Sequence, residues 1–178
     1  MSEAMAGGRR RIDQVLAEDF TADLGSLDRD EVRRRRDLAH AEREYLSLVR
    51  RLLQGRRDIL RAERDRRSAG GEAPPVLDRL AEILADGPQG PSRGEAPVLA
   101  VSVDEIALAR RRVERLISDA SLSNLDSLGD DELDAALGRL EEEERKVSDT
   151  RARVLEVHDR LQEEMKNRYR AELGDPTA

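Results

Sequence analysis

The chain has 178 residues and a formal net charge of −7; 40% of its residues are charged, 38% are apolar, and only Phe20, Tyr45 and Tyr169 are aromatic. This length predicts one domain or two, and the mixture of Ala, Glu, Arg and Leu is typical of long helices or coiled coils. The absence of cysteine excludes disulfides and thiolate metal sites. The negative charge argues against nonspecific nucleic-acid binding and favours a basic protein partner.

Other classes of protein are disfavoured by what the sequence lacks. No apolar run approaches the roughly 20 residues of a membrane span, and no hydrophobic signal core follows the N-terminus, so we expect a cytoplasmic protein. The two histidines, His40 and His158, have no metal-ligand spacing. No carboxylate accompanies a nucleophile or a glycine-rich phosphate loop, and we therefore expect no enzymatic activity.

The first long helix is predicted over residues 24–67, after an arm at residues 1–23 that we expect to be flexible or loosely helical. A small polar segment marks its start, followed by Asp28, Asp30 and Glu31, whose carboxylates suit the positive end of the helix dipole. No proline interrupts this helix. At a length on the order of 55–60 Å it must pair lengthwise with another element.

Apolar side chains along this helix recur at three- and four-residue steps, which is the stripe that a helix buries against a neighbour. They are Leu38, Tyr45, Leu46, Val49, Leu52, Leu53, Ile59 and Leu60. Gly55 interrupts the helix and costs about 1 kcal/mol relative to alanine. It indicates either the close approach of a ligand or another backbone, or a tolerated surface glycine.

Residues 68–101 are a connector rich in proline and glycine, which we expect to be flexible apart from one short helix. That helix is predicted to have Pro75 in its first turn and an apolar side made of Val76, Leu77, Leu80, Ile83 and Leu84. An accessory helix and a turn follow over residues 102–129. The apolar side of the accessory helix comprises Ile106, Val113, Leu116 and Ile117.

The second long helix is predicted over residues 130–173, before a tail at residues 174–178. Glu144 and Arg151 lie in or beside its apolar seam, where a buried charge is costly. We therefore expect either a wet opening in a coiled coil or a polar ligand at this place. The seam is nearly heptad and consists of Leu133, Leu137, Leu140, Val147, Val154, Leu161 and Met165.

The two long helices are predicted to be copies of one unit, because residue n resembles residue n+101 over a long stretch. Comparing residues 24–63 with residues 125–164 gives 11 identities in 40 positions without a gap. Two such helices, each in need of a partner, predict an all-α fold. Its form would be a long antiparallel two-helix coiled-coil hairpin with approximate two-fold symmetry and short accessory helices in the connector.

A polar row also follows each long helix at three- and four-residue steps. Arginine can bond guanine or phosphate through two parallel hydrogen bonds, a carboxylate suits the N1–H and N2 donors of guanine, and serine can donate to phosphate. The rows therefore predict a reader of guanine and phosphate with a two-fold symmetric ligand; the alternative is a solvated helix face. The rows are Ser47, Arg50, Gln54 and Asp58, and Glu144, Ser148, Arg151 and Asp159.

With these rows, the chain resembles the RsiG-type anti-sigma factors of actinobacteria, also called aerial-mycelium-formation proteins. Their signature, E-x3-S-x2-R-x3-Q-x3-D, occurs once on each helix of an antiparallel coiled coil. Each copy here matches four of the five positions, since Arg43 replaces the Glu of the first copy and Leu155 replaces the Gln of the second. The copies read Arg43, Ser47, Arg50, Gln54 and Asp58, and Glu144, Ser148, Arg151, Leu155 and Asp159.

The resemblance implies a coiled coil that binds cyclic di-GMP as an intercalated dimer of the nucleotide. By position, the motif arginines Arg50 and Arg151 would contact guanine or phosphate. Both aspartates would contact the Watson–Crick edge of guanine, and both serines a phosphate. Gln54 and Glu144 would give supporting polar contacts. The departures at Arg43 and Leu155 are compatible with asymmetric binding.

The resemblance further implies that the loaded protein holds a WhiG-type sigma factor, one to one, away from RNA polymerase and so blocks sporulation genes. A cyclic di-GMP-dependent anti-sigma factor that does not itself bind DNA is our leading hypothesis. The alternative is a structural coiled-coil scaffold or protein-interaction module without a nucleotide ligand.

Overall fold

The computed structural model describes residues 10–70, 74–85, 101–117, 125 and 127–173. Within these ranges the chain forms helices and turns without a strand, and the all-α prediction is confirmed for this part of the chain. The α-helices are α1 (Arg11–Val15), α2 (Arg29–Ser68), α3 (Leu80–Ala85), α4 (Val103–Leu116) and α5 (Asp130–Leu173). Short 3-10 helices occur at Glu18–Thr21, Leu24–Ser26 and Val76–Arg79. None of the helices described has an apolar stretch long enough to cross a lipid bilayer.

The chain divides into two compact units, and the division falls within both long helices. The first unit is Met1–Leu46 with Asp149–Ala178, and the second is Ser47–Ser148. Each unit contains one segment of α2 and one of α5, and α2 packs against α5.

Ion pairs give the direction of the packed segments within each unit. In the first unit Arg29, at the start of α2, pairs with Glu172, near the end of α5, at 3.0 Å. In the second unit Arg64, near the end of α2, pairs with Asp134, near the start of α5, at 2.7 Å. Because the start of one helix meets the end of the other, the two segments run antiparallel in each unit.

The buried seam of both long helices is a series of aliphatic residues at seven-residue intervals, which is the repeat of a coiled coil. Each residue of the α2 series lies 101 positions before its counterpart in α5, so the predicted duplication extends to the core. Leu38, Tyr45 and Leu52, expected in the buried stripe, are only half-buried because they flank this seam. The series are Val32, Ala39, Leu46, Leu53 and Leu60 on α2, and Leu133, Leu140, Val147, Val154 and Leu161 on α5.

Local hydrogen bonds explain where the long helices begin and end. The Asp28 carboxylate accepts the backbone N–H of Glu31, in the first turn of α2, at 2.7 Å. The Glu132 carboxylate, in the first turn of α5, accepts the backbone N–H of Gly129, the residue before that helix, at 2.9 Å. These carboxylates satisfy donors that the first turn of a helix leaves without partners. After α2, Gly70 adopts a φ of 91°, a left-handed conformation that glycine takes at little cost.

Residues 10–23, within the arm predicted over residues 1–23 to be flexible or loosely helical, form α1 and a 3-10 helix and pack onto α2. Val15 is fully buried, and Arg11 bonds the buried Glu42 at 2.6 Å. A short apolar patch is therefore ordered by burial and one ion pair. Residues 1–9 lie outside the described ranges.

The contact between Arg11 and Glu42 has a counterpart 101 positions later. Arg112 of α4 bonds Glu143 of α5 at 2.7 Å, so α1 corresponds to α4. The duplicated unit therefore extends at least to Arg11 and Arg112, about 13 residues before the 40 aligned positions.

One arginine near the end of each long helix donates to backbone carbonyls that lie just before the start of the other long helix. Arg67 of α2 donates to Leu125 and Leu128 at 2.8 and 2.7 Å. Arg168 of α5, 101 positions later, makes the same two bonds to carbonyls before α2, at 2.6 and 2.8 Å. The first and second units are thus closed by the same contact.

In the connector, Pro75 directly precedes the 3-10 helix Val76–Arg79, which continues into α3. The predicted three-turn helix is therefore α-helical only in its second part. A Cβ built on Gly55 would lie 3.5 Å from the Leu84 side chain of α3, an ordinary van der Waals contact. The neighbour of Gly55 is thus a side chain, and that neighbour does not require glycine at this position.

Candidate ligand-binding site

The ten residues expected to bind a ligand fall into both units of the structure. Six of them lie in the second unit, namely Ser47, Arg50, Gln54, Asp58, Glu144 and Ser148. The other four lie in the first unit, namely Arg43, Arg151, Leu155 and Asp159.

In the second unit, Glu144 of α5 receives side chains from successive turns of α2. Gln54 Nε2 donates to Glu144 Oε1 at 2.6 Å, and Arg57 Nη1 donates to Glu144 Oε2 at 2.5 Å. Arg50 Nε lies 3.7 Å from Glu144 Oε1. Steps of three and four residues place these side chains on one face of α2, which explains their convergence. Together with Asp58 they form what we call the Glu144 cluster (Arg50, Gln54, Arg57, Asp58 and Glu144).

Arg57 joins the two carboxylates of this cluster. Besides its bond to Glu144, it donates from Nε and Nη2 to Asp58 Oδ1 at 3.2 and 3.0 Å. Asp58 Oδ2 accepts no hydrogen bond from the described part of the chain. One oxygen of Asp58 therefore remains available to a ligand donor, whereas both oxygens of Glu144 are engaged.

Arg50 retains a donor that the surrounding side chains do not satisfy. Its Nε is buried and makes no hydrogen bond within the described residues, because the nearest carboxylate oxygen is 3.7 Å away and already accepts from Gln54. A buried donor without an acceptor costs free energy, since it has lost its bonds to water. An acceptor supplied by a ligand would remove this cost.

The first unit brings the two histidines of the chain together. The ring centroids of His40 on α2 and His158 on α5 are 5.9 Å apart. Arg43 Nη2 lies 3.2 Å from His40 Nδ1, and because arginine can only donate, His40 Nδ1 is the acceptor. His158 Nδ1 lies 3.2 Å from Asp159 Oδ1 and donates to it, because the carboxylate oxygen is the acceptor of this pair.

The histidine pair and Arg57 were not singled out from the sequence. His40 and His158 are separated by 117 intervening residues, and the 101-residue register does not align them with each other. Arg57 does align with His158 in that register, and each precedes an aspartate of the motif. Because arginine and histidine are different residues, this correspondence does not contribute to the 11 identities of the repeat.

Asp58 and Asp159 are in similar local environments. The residue that precedes each of them, Arg57 or His158, bonds its Oδ1, and its Oδ2 accepts no hydrogen bond from the described chain. Their exposures differ: 31% of the Asp58 side chain is accessible to solvent, compared with 67% of the Asp159 side chain. Both carboxylates can therefore accept from a donor edge such as that of guanine.

The remaining predicted residues are half-buried on the long helices. Ser47 and Ser148 lie in the second unit, and Arg151 and Leu155 in the first. Leu155 stands where Gln54 stands in the first copy and offers no hydrogen bond. Among the described residues, no group of three or more His, Asp or Glu side chains is arranged to hold a metal ion.

Arg56, next to the Glu144 cluster, lies close enough to α4 to interact with it. Burial lowers the pKa of Arg56, and the negative charge of Glu114 on α4 partly opposes this effect. The accessory helix α4 is therefore electrostatically coupled to the part of α2 that carries the first motif copy.

Comparison with known proteins agrees with the motif. The search of curated proteins found no match. The sequence model of one family, described as RsiG-like, matches residues 18–84, which include the whole of α2 and the first motif copy. Residues 18–84 are therefore similar to the RsiG-like family, which confirms the resemblance to RsiG-type anti-sigma factors predicted from the motif copies.

Proposed function

We propose that the chain is a cyclic di-GMP-dependent anti-sigma factor that sequesters a WhiG-type sporulation sigma factor from RNA polymerase. The RsiG-like match supports the anti-sigma role, and the two motif copies support the nucleotide ligand. In this proposal the protein acts in the cytoplasm as a non-enzymatic regulator, binds one sigma factor per chain and makes no direct contact with DNA. Its long helices α2 and α5 form one antiparallel coiled-coil hairpin.

The observation that carries the proposal is the buried Nε of Arg50, which lacks a hydrogen-bond partner within the described residues. The motif resemblance assigns Arg50 to the ligand. The Nε of Arg50 is a hydrogen-bond donor that still lacks an acceptor. Phosphate oxygens or the O6 and N7 atoms of guanine would supply this acceptor. The scaffold alternative gives no reason for a buried, unsatisfied arginine Nε at a motif position.

The two motif aspartates support a guanine-containing ligand. Each has one carboxylate oxygen held by the preceding residue and one oxygen that accepts no bond from the described chain. Guanine presents two adjacent donors, N1–H and N2–H, to such a group. In this proposal, cyclic di-GMP, with two guanines and two phosphates, uses one aspartate and one arginine from each motif copy.

Ligand and sigma factor are coupled in this proposal because both bind the same form of the protein. The nucleotide fixes the side chains of the two motif copies, and the sigma factor recognises that form. By linkage, cyclic di-GMP raises the affinity for the sigma factor by the same factor by which the sigma factor raises the affinity for cyclic di-GMP. The short helices α1, α3 and α4 are the surfaces we assign to the partner; α3 and α4 expose the apolar side chains of Leu84, Val103 and Leu108.

The test is complex formation with a WhiG-type sigma factor in the presence and absence of cyclic di-GMP, measured by size-exclusion chromatography and calorimetry. We expect a one-to-one complex that forms with the nucleotide and is much weaker without it. Arg50→Ala should lose roughly 1–3 kcal/mol of nucleotide binding. Arg64→Ala, which removes an ion pair between the same helices outside the motif, is the control. An affinity for the sigma factor that is the same with and without cyclic di-GMP would support the scaffold alternative instead.

A further inference from the structure

Arg57 lies outside the five-position motif, yet it makes three hydrogen bonds within the Glu144 cluster, more than any motif residue there. It donates to Glu144 across the helix pair and to Asp58 on its own helix. Adjacent residues of a helix do not face one another, so the Arg57 side chain must extend sideways to reach both acceptors. Its guanidinium carries several donors in a fixed plane and can bond two carboxylates at once.

The charge of the cluster shows what Arg57 supplies. The charged motif residues of the second unit are Arg50, Asp58 and Glu144, whose formal charges sum to −1. Cyclic di-GMP carries two phosphodiester anions, and a net negative site would repel it. Arg57 brings the sum to zero.

The second motif copy does not need the same compensation. The charged motif residues of the first unit are Arg43, Arg151 and Asp159, and their formal charges sum to +1. At the position that corresponds to Arg57 this unit has His158 beside Asp159. An extra arginine therefore occurs in the unit whose motif charge is negative.

We infer that Arg57 is a further positioning and specificity residue for the nucleotide, an inference that depends on the proposed function. Arg57 orients Glu144 and Asp58 by its hydrogen bonds, leaves Asp58 Oδ2 facing no donor from the described chain, and balances the charge of the motif residues of the second unit toward a dianionic ligand. Glu144 then serves as the anchor of the cluster, because both its oxygens are engaged. Asp58 serves as the guanine reader.

The experiment is calorimetric titration of the full-length protein with cyclic di-GMP, using Arg57→Ala, Arg57→Gln and Arg57→Lys. We expect the alanine and glutamine variants to bind about tenfold more weakly or worse, because an uncompensated carboxylate pair faces the ligand. Lysine keeps the charge but cannot hold both carboxylates, so it should restore part of the affinity. Arg64→Ala has the same change in charge and removes a similar ion pair, and it should bind within about twofold of wild type.

Two further readouts separate this role from a purely structural one. The dissociation constant of Arg57→Gln should depend less steeply on salt than that of wild type, and Arg57→Lys should recover the wild-type dependence. His158→Ala should weaken binding by less than Arg57→Ala, since the first unit keeps its positive motif charge. The denaturation midpoint of each variant identifies any that fail to fold, and the glutamine variant preserves much of the side-chain volume.

Folded Arg57→Ala and Arg57→Gln variants that bind cyclic di-GMP as tightly as wild type would overturn the inference while leaving the proposed function standing. Equal losses in Arg57→Ala and Arg64→Ala would overturn it as well. A wild-type protein that does not bind cyclic di-GMP would overturn the proposed function and, with it, this inference.

Discussion

Glu144 illustrates how hydrogen-bond geometry decides which groups remain available to a ligand. Its two oxygens accept from Gln54 and Arg57, so Arg50 is left 3.7 Å away with an unsatisfied Nε. The motif spacing predicts three of these four residues at one candidate site. Arg57 was not found in this way, because its role depends on a sideways reach that residue spacing does not encode.

Glu63 offers a test of residue-level electrostatics away from the ligand site. It is only 1% exposed and bonds Arg66 at 2.8 Å and Arg67 at 2.6 Å. Its pKa is lowered, chiefly by the hydrogen bond from Arg66 and despite burial, which acts in the opposite direction. A carboxylate whose pKa is lower in the folded state stabilises that state above its unfolded pKa of about 4.3, and this stabilisation is lost as the pH falls through the folded value.

We therefore expect Glu63→Gln to reduce the free energy of unfolding by about 1–3 kcal/mol at pH 7. The difference from wild type should stay constant down to about pH 5 and shrink below about pH 4, as the wild-type carboxylate becomes protonated. Urea denaturation at a series of pH values measures this. A difference that is the same at pH 3 and pH 7 would contradict the account.

At the scale of elements, long periodic helices were predictable and the short helix before them was not. The apolar pattern of α2 and α5 extends over tens of residues, and the residues that cap these helices are near them in sequence. Sequence spacing therefore suffices to locate both helices. α1 has only five residues and is ordered by contacts with α2, including the bond from Arg11 to Glu42. The signal was present in the 101-residue register, where Arg11-Ile12 corresponds to Arg112-Val113.

Gly55 gives an element-level prediction for α2. An alanine Cβ at this position would lie 3.5 Å from the Leu84 side chain, and alanine favours the helix by about 1 kcal/mol. Gly55→Ala should therefore raise the melting temperature by roughly 2–4 °C. Thermal denaturation followed by circular dichroism measures the change. A lower melting temperature would mean that α3 cannot accommodate the added methyl group.

At the scale of the whole molecule, the chain is a duplicated unit whose contacts repeat together with its sequence. The bond from Arg11 to Glu42 repeats as that from Arg112 to Glu143. An arginine near the end of a long helix closes each unit, Arg168 in the first and Arg67 in the second. The sequence predicted the duplication from 11 identities. It did not show that α1 and α4 belong to the duplicated unit, because few positions in those short elements are identical.

The closing arginines provide the test of this duplication. Arg67 and Arg168 each donate to two backbone carbonyls before the other long helix, and hydrogen bonds of a charged donor are stronger than those between neutral groups. We expect Arg67→Ala and Arg168→Ala to lower the free energy of unfolding by similar amounts, on the order of 2–4 kcal/mol. Chemical denaturation measures both. A large loss for one variant and none for the other would show that the two contacts are not equivalent.

The central claim, that the two motif copies bind cyclic di-GMP, is tested most directly by calorimetric titration of the full-length protein with cyclic di-GMP and with cyclic di-AMP. We predict saturable binding of cyclic di-GMP, at least about tenfold weaker binding by Asp58→Asn and Asp159→Asn, and little or no binding of cyclic di-AMP, which lacks the N1–H and N2 donors of guanine. Equal binding of the two dinucleotides, or no binding of cyclic di-GMP with the sigma factor present, would contradict the account.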